Sequence, residues 1–259
     1  NKMRYGKFLP EKGTIGFVAP SFGCNIEPYR SAFINAQKIW EQQGYGFSFG
    51  PNAYEGCGIG ISNTPQKCAE EFNDWYAKED VDVLISCGGG ELMCEILPYI
   101  DFEKIRNSEP KWFLGYSDNT NLIFLLATLC DTAAIYGPCA AAFGMEPWHD
   151  SLKDAMGILK GNIKSVHNYE QWEKEGLKTE DNPLEPYNVT EKFQLRTWTA
   201  EKGLSMPDDI SKKTDEIIQM EGRLLGGCLD CLSILCGTKF DQVEQFNEKY
   251  KEDGILWFL

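Results

Sequence analysis

Ser117 stands in the sequence context that a nucleophilic serine requires. It follows a short apolar run that ends at Gly115, and it precedes a helical pattern with apolar residues at positions 122, 123, 125, 126 and 129. This pattern predicts a strand that turns sharply into a helix, with the serine hydroxyl above the carboxyl edge of the sheet. The helix N-terminus behind such a serine favours developing negative charge. We predict that Ser117 is a nucleophile; the alternative is that Ser117 or Asp118 only caps the helix.

A run of three glycines, Gly88 to Gly90, follows a buried strand predicted over Val81 to Ser86. A glycine turn can hold a phosphate with its backbone N–H groups, but this one lacks the Gly-x-Gly-x-x-Gly spacing and the Lys-Ser/Thr of a P-loop. The same N–H groups can instead stabilise an oxyanion, which would complement Ser117. A plain turn without chemistry is the third interpretation.

A serine nucleophile needs a general base, which is normally a histidine oriented by a carboxylate. The chain has two histidines, His149 and His167. His149 follows Glu146-Pro147-Trp148 and is expected in a loop or helix cap, and His167 lies in a polar region. Neither stands at the end of a predicted sheet strand, so both are interpreted as surface residues. The residues therefore predict a nucleophile and an oxyanion hole without a base.

Strands and helices alternate five times in the first part of the chain, which predicts an α/β fold with a doubly wound, mostly parallel sheet. Ligands bind such sheets beyond the carboxyl ends of the strands. Four candidate segments fall at that edge: Ser21, Gly88 to Gly90, Ser117 and Gly137. The long loop from Gly50 to Asn63 is rich in glycine, and loops of this length are often functional.

The composition becomes polar, aromatic and acidic after about residue 160. We predict an α/β domain with the nucleophile over residues 1–160, a linker or boundary over 161–192, and the start of a smaller, incomplete α+β domain over 193–259. Four elements are expected in the last part: strands over Phe193 to Thr199, Ile217 to Leu225 and Gly254 to Leu259, and a helix over Cys228 to Cys236.

Composition excludes several classes of protein. The 259 residues carry a formal net charge of −14 without a basic cluster, which argues against nucleic-acid binding. No stretch of eighteen apolar residues is present, so no membrane span is expected. The ten cysteines are interpreted as free thiols of a reducing cytosol, with Cys87, Cys130 and Cys236 as examples of buried ones. The Cys228-x-x-Cys231 pair lacks a second pair at zinc-site spacing and is interpreted as two small core residues.

An ordered series of motifs through most of the chain resembles the LD-carboxypeptidase family of serine peptidases, and within it the microcin C self-immunity branch. The motifs are Val18-Ala19-Pro20-Ser21, Gly88-Gly89-Gly90 leading to Leu97-Pro98-Tyr99-Ile100-Asp101, Gly115-Tyr116-Ser117-Asp118, Tyr136-Gly137-Pro138 with Phe143-Gly144, and Gly222-Arg223-Leu224-Leu225-Gly226-Gly227. The resemblance implies a cytoplasmic, cofactor-free and metal-free hydrolase, usually dimeric, with an amidotransferase- or flavodoxin-like N-terminal domain and a Ser-Glu-His triad. Ser117 is then the nucleophile, and the backbone amides of Gly89, Gly90 and Asp118 would form the oxyanion hole.

The resemblance implies two substrate classes for an acyl-enzyme reaction: the LD-peptide bond of a murein tetrapeptide, or the amide of a microcin-like peptidyl-nucleotide. The long loop and the Leu97 to Asp101 segment favour the microcin branch slightly. In the family, the triad glutamate and histidine follow the strand that here is Gly254 to Leu259, so the sequence is expected to be a fragment, inactive as it stands. Cys228 also departs from the family, where many members have asparagine.

Two further hypotheses compete with the peptidase. One is a natural short form that binds murein peptides without cleaving them. The other is a flavodoxin-like nucleotide binder that uses the glycine turn. The expected partners are a small peptide or peptidyl-nucleotide and a second copy of the chain in a homodimer, with neither nucleic acid nor membrane.

Overall fold

The computed structural model describes residues 2–195, 197–199, 203–205 and 218–259, and no side chain between residues 196 and 217. Its centre is a five-stranded parallel sheet in the order β2-β1-β3-β4-β5. The strands are β1 (Thr14–Val18), β2 (Gly46–Phe49), β3 (Val83–Ser86), β4 (Phe113–Gly115) and β5 (Ile135–Tyr136). Helices α1 (Tyr29–Gln42), α2 (Pro65–Ala77), α3 (Phe102–Asn107) and α4 (Thr120–Cys130) connect these strands, and α5 (Asp150–Leu159) follows them. The predicted α/β class with a parallel sheet is confirmed.

Both faces of the sheet are buried, because successive side chains of each strand point to opposite faces. Leu84 of β3 faces one core cluster, which also contains Phe72 of α2 and Leu122 of α4. Its neighbour Ile85 faces the second cluster, which also contains Phe33 of α1. The helices therefore cover both faces. Because the five strands are parallel, their carboxyl ends lie at the same edge of the sheet.

Local signals set the helix boundaries as the sequence predicts. The Thr64 side chain accepts a hydrogen bond from the backbone of Lys67 at the start of α2, with Pro65 in the first helical position. Gly44 follows α1 with a φ of +92°, a conformation that glycine adopts without strain. These caps mark the end of α1 and the point where the long loop of Gly50 to Asn63 passes into α2.

The segment predicted as a linker over residues 161–192 contains an antiparallel pair of strands, β6 (Gln171–Glu173) and β7 (Val189–Lys192). It also packs on the first part of the chain, since Tyr169 donates a hydrogen bond to Asp154 of α5. The next strands, β8 (Thr197–Thr199) and β9 (Gly203–Ser205), form a second antiparallel pair. The domain boundaries at 160 and 192 stay predictions.

The last part of the chain forms β10 (Arg223–Gly226), α6 (Leu229–Leu235), α7 (Val243–Tyr250) and β11 (Ile255–Phe258). The expected helix over Cys228 to Cys236 is confirmed as α6, whereas α7 was not predicted. Ile217, the first residue of the expected strand before β10, lies outside the described residues. The strand expected over Gly254 to Leu259 is present as β11. An apolar run of this kind is typical of a buried strand, but Trp257 and Leu259 are exposed.

Candidate functional site

Ser117 sits at the corner between β4 and α4, where a short 3-10 turn, Ser117–Asn119, starts the helix. Its φ is +60°, in the left-handed region, which costs a residue with a side chain about 1–2 kcal/mol. Such strain at a sharp strand-to-helix turn is typical of a nucleophile elbow, where it lifts the hydroxyl out of the sheet. The predicted elbow is present in the structure.

Hydrogen bonds hold the backbone of Ser117 on both sides. Its N–H donates to the hydroxyl oxygen of Tyr136, at the end of β5, over 3.2 Å. Its carbonyl oxygen accepts a 2.7 Å hydrogen bond from Oγ1 of Thr120. Oγ1 of Thr120 in turn accepts a 2.9 Å hydrogen bond from the backbone amide of Cys228. The elbow is therefore tied to β5 and to the start of α6.

The glycine turn after β3 packs directly against the elbow. A Cβ atom placed on Gly89 would lie 2.7 Å from Cβ of Ser117 and 3.1 Å from its Oγ, closer than real Cβ contacts. The Asn119 side-chain amide donates a 3.3 Å hydrogen bond to the carbonyl of Gly88 and so helps to hold the turn there. A glycine is required at position 89 because the nucleophile fills the space that a side chain would take.

The three amides predicted for the oxyanion hole do not have the same surroundings. Within the described residues, no acceptor takes the N–H of Gly89 or of Asp118. The N–H of Gly90 instead donates a 2.9 Å hydrogen bond to Oδ1 of Asp118. Gly90 therefore has another partner, and we remove it from the candidate oxyanion donors. Gly89 and Asp118 remain.

The carboxylate of Asp118 is buried and accepts hydrogen bonds at both oxygens. Oδ2 accepts from the Ser21 hydroxyl over 2.6 Å and from the amide of Met93 over 3.1 Å, and Oδ1 accepts from Gly90. Burial raises the pKa of this carboxyl, while the three donors oppose that rise. The sequence singled out Ser21 by its place at a strand end and in the Val18-Ala19-Pro20-Ser21 motif, and the structure gives it Asp118 as a hydrogen-bond partner.

A second buried carboxylate, Glu71 on α2, was missed by the sequence interpretation. Its oxygens accept from the amides of Ala19 over 2.5 Å and of Asn52 over 2.6 Å, which ties the end of β1 to the long loop. Burial raises the pKa of Glu71 to about 7. Its spacing from Cys68 and Phe72 places it on the apolar face of α2, and that spacing is the signal that could have found it.

Neither histidine is hydrogen-bonded to Ser117 in the described part of the chain. His149 is the N-cap of α5 and accepts from the amide of Ser151 at Nδ1, and His167 is exposed. The capping role of His149 and the exposed position of His167 are confirmed. His149 is half-buried, however, because its ring packs against Tyr169 and Tyr187. The general base is not assigned by this geometry.

The Cys228 and Cys231 pair was predicted as two small core residues, but it is only partly buried and lies beside the candidate site. Both residues are half-buried, and Sγ of Cys231 is 4.0 Å from the carbonyl oxygen of Ser117. The expectation that Cys236 is buried is wrong, since it is exposed, whereas Cys87 and Cys130 are buried as predicted.

Among the described residues, no three His, Cys, Asp or Glu side chains form a group that could hold a metal ion. Nor does any described helix combine the length and apolar character needed to cross a bilayer.

A strained serine at a strand-to-helix elbow, facing a glycine turn at the open edge of a parallel sheet, defines an α/β protein with a candidate nucleophile site. Residues 15–137 match the LD-carboxypeptidase N-terminal domain. This match confirms the predicted resemblance of the chain to the LD-carboxypeptidase family.

Relatives agree with this assignment. A Vibrio cholerae protein provisionally named as a carboxypeptidase is 32% identical over 151 residues, which are 56% of this chain and 43% of that protein. The microcin C7 self-immunity protein MccF of Escherichia coli is 23% identical over 233 residues, 88% of this chain and 62% of the relative. The chain thus spans about half of these relatives' length.

Solved structures share the fold. MccF in complex with glutamyl sulfamoyl guanosine superposes with a TM-score of 0.74 at 21% identity, covering 91% of this chain and 66% of that one. An MccF-like protein from Streptococcus pneumoniae in complex with AMP gives a TM-score of 0.70 at 19% identity, with coverages of 95% and 71%. At these identities the likeness establishes the fold.

Proposed function

We propose that this protein is a serine peptidase or amidase in which Ser117 attacks the carbonyl carbon of an LD-peptide or peptidyl-nucleotide amide. The observation that carries the proposal is the left-handed Ser117 in close contact with Gly89, while the amides of Gly89 and Asp118 have no acceptor in the part of the chain that the structure describes. Those two N–H groups would donate to the oxyanion that forms as Oγ bonds to the carbonyl carbon.

The reaction has two steps. In the first step the C–N bond breaks, the amine leaves with a proton, and an ester joins the acyl group to Ser117. In the second step water attacks the ester, which releases the acid and restores the serine hydroxyl. The family implies a glutamate and a histidine as the base system, and neither His149 nor His167 is assigned that role.

The substrate is proposed as a small molecule with an amide bond in one of two settings. One is a murein tetrapeptide that ends in D-alanine, which agrees with the carboxypeptidase family. The other is an aminoacyl group on a nucleotide-like moiety, as in the MccF structures with glutamyl sulfamoyl guanosine and aspartyl sulfamoyl adenosine. A cytoplasmic location and a homodimer belong to the same proposal, because they come from the family alone.

The direct test uses the full-length gene product, which is the parent protein of all activity assays below. This protein and its Ser117→Ala variant are incubated separately with a murein tetrapeptide and with aspartyl sulfamoyl adenosine. Release of D-alanine or of the nucleoside sulfamate is followed by chromatography, and the acyl-enzyme by intact mass. We expect one substrate to be cleaved by the parent protein and neither by the variant. Hydrolysis that survives in Ser117→Ala would refute Ser117 as the nucleophile. Tight binding of a peptide without cleavage would support the binding-module hypothesis instead.

A further inference from the structure

The side chain of Asp118 makes contacts that a simple helix cap would not make. It is 4% exposed, and its two oxygens receive donors from three separate segments. Ser21 lies beyond the end of β1, Gly90 lies beyond the end of β3, and Met93 begins the 3-10 helix that follows the glycine turn. None of these donors belongs to the helix that Asp118 itself precedes. The carboxylate, on the turn after β4, therefore joins the loops that follow β1 and β3 at the carboxyl edge of the sheet.

These contacts hold Gly89 from both sides. The residue before it, Gly88, is bound through its carbonyl to the Asn119 side chain over 3.3 Å. The residue after it, Gly90, is bound through its amide to Asp118 over 2.9 Å. Asp118 and Asn119 directly follow Ser117 in the chain. The glycine turn is thus fastened to the same short segment that carries the nucleophile.

The Ser21 contact extends this arrangement to the long loop. The Ser21 carbonyl accepts a 2.6 Å hydrogen bond from the amide of Ser62. A Cβ atom on Gly90 would lie 2.5 Å from Oγ of Ser21 and 2.3 Å from the carbonyl oxygen of Gly60, so the turn and the loop pack against each other. Moving any one of these segments would therefore shift the glycine turn.

The chemistry of the three contacts selects a carboxylate. Every partner of Asp118 is a donor, one O–H and two N–H groups, and an ionised carboxylate accepts at both oxygens. An asparagine has the same shape but turns one acceptor into an NH2 donor, which would face another donor. An Asp118→Asn change therefore removes at least one bond while it preserves the volume of the side chain.

We propose that Asp118 is a positioning residue. Its carboxylate binds the glycine turn to the segment that carries the nucleophile and so sets the distance between Ser117 and the oxyanion donors. The proposal rests on the proposed function of Ser117. Asp118 thus has two separate roles, since its backbone amide donates to the oxyanion and its side chain places the amide of Gly89. Donors aimed at the oxyanion act on the transition state and add little to substrate binding.

The test compares Asp118→Asn and Ser21→Ala with Asp101→Asn, a matched control. Asp101 also accepts from a backbone amide, that of Lys104, but it caps α3 and is exposed. For Asp118→Asn we expect kcat to fall about 10²-fold with KM within about twofold, as for a misplaced oxyanion donor. For Ser21→Ala we expect a drop of about tenfold, since one bond to a charged group is lost. Asp101→Asn should match the parent protein.

A second measurement is independent of activity. The amide proton of Gly90 should show slow exchange and a downfield NMR shift in the parent protein, and both should be lost in Asp118→Asn. Circular dichroism and thermal melting establish that each variant is folded, and Ser21→Ala decides the matter if Asp118→Asn does not fold. A kcat within about threefold of the parent protein, in a folded Asp118→Asn or Ser21→Ala variant, would overturn the positioning role. If Ser117→Ala is inactive in the same assay, that result leaves the proposed function intact. Activity in Ser117→Ala would overturn both.

Discussion

Gly89 lies so close to Ser117 that a side chain at position 89 would overlap the side chain of Ser117. The distance from a Cβ on Gly89 to Cβ of Ser117 would be 2.7 Å, although 28 residues separate them in the chain. The nucleophile and the glycine turn are therefore parts of one rigid corner at the edge of the sheet. A single methyl group added at position 89 would therefore displace Ser117 or the glycine turn.

Gly89→Ala is predicted to abolish most hydrolysis without unfolding the protein. The new methyl group must push Ser117 or the turn away, and a displacement of about 1 Å at a reacting group can lower the rate about 10²-fold. Gly46→Ala is the matched control, because its Cβ would lie no closer than 3.8 Å to Oγ1 of Thr14. Steady-state kinetics on both variants measure the effect. Equal rates for the two variants would contradict the close contact at position 89.

Ser117→Gly is predicted to raise stability while it removes activity. Glycine adopts a φ of +60° without the strain that serine carries, so the free energy of unfolding should rise by about 1 kcal/mol. Lys12→Gly is the control, because the exposed Lys12 has a φ of +58° away from the elbow. Urea unfolding should show a similar gain for both, and only Ser117→Gly should lose hydrolysis. A loss of stability in Ser117→Gly would argue against strain at the elbow.

Because of Glu71, the free energy of unfolding is predicted to fall as the pH rises from 4.5 to about 7. Its pKa is raised from 4.5 to about 7, so the folded state holds its proton more tightly than the unfolded state does. The contribution of Glu71 to the free energy of unfolding, about 3 kcal/mol, is fully present below pH 4.5 and is lost as the pH rises to about 7.

Chemical unfolding at pH 4.5 and pH 8 tests the Glu71 contribution. Glu71→Gln cannot ionise, so the difference in stability between the parent protein and this variant should change with pH in that window. The neighbouring Glu70 is exposed, and Glu70→Gln should follow the parent protein at both pH values. A constant difference between the parent and Glu71→Gln would show that Glu71 does not titrate there.

The thiols are predicted to react in clearly separated phases. All ten cysteines are free, and the two exposed ones, Cys57 and Cys236, should react first with a disulfide reagent such as DTNB. Half-buried Cys94, Cys228 and Cys231 should react more slowly. Denaturant should reveal ten thiols in total. A Cys57→Ser/Cys236→Ser double variant that keeps the fast phase would contradict this exposure pattern.

Most of the parallel sheet could be predicted from the sequence. The run Val83–Ser86 is apolar because both faces of β3 are buried, and the Thr64-Pro65 pair marks a helix start by its own chemistry. The antiparallel pair of β6 and β7 was missed, because Gln171–Glu173 and Val189–Lys192 are short, polar and largely exposed. Exposed strands lack the apolar alternation on which strand prediction depends.

The sequence alone determined the nucleophile segment, because a strand, a tight turn and a helix in succession are encoded by neighbouring residues. Tertiary structure decided which backbone amides remain free among the described residues, since Gly90 gives its N–H to a carboxylate 28 residues away and Gly89 does not. It also decided that the hydroxyl of Ser21 donates a hydrogen bond to Asp118, 97 residues away in the chain. A residue pattern specifies which groups can form hydrogen bonds, but only the packing of distant loops selects their partners.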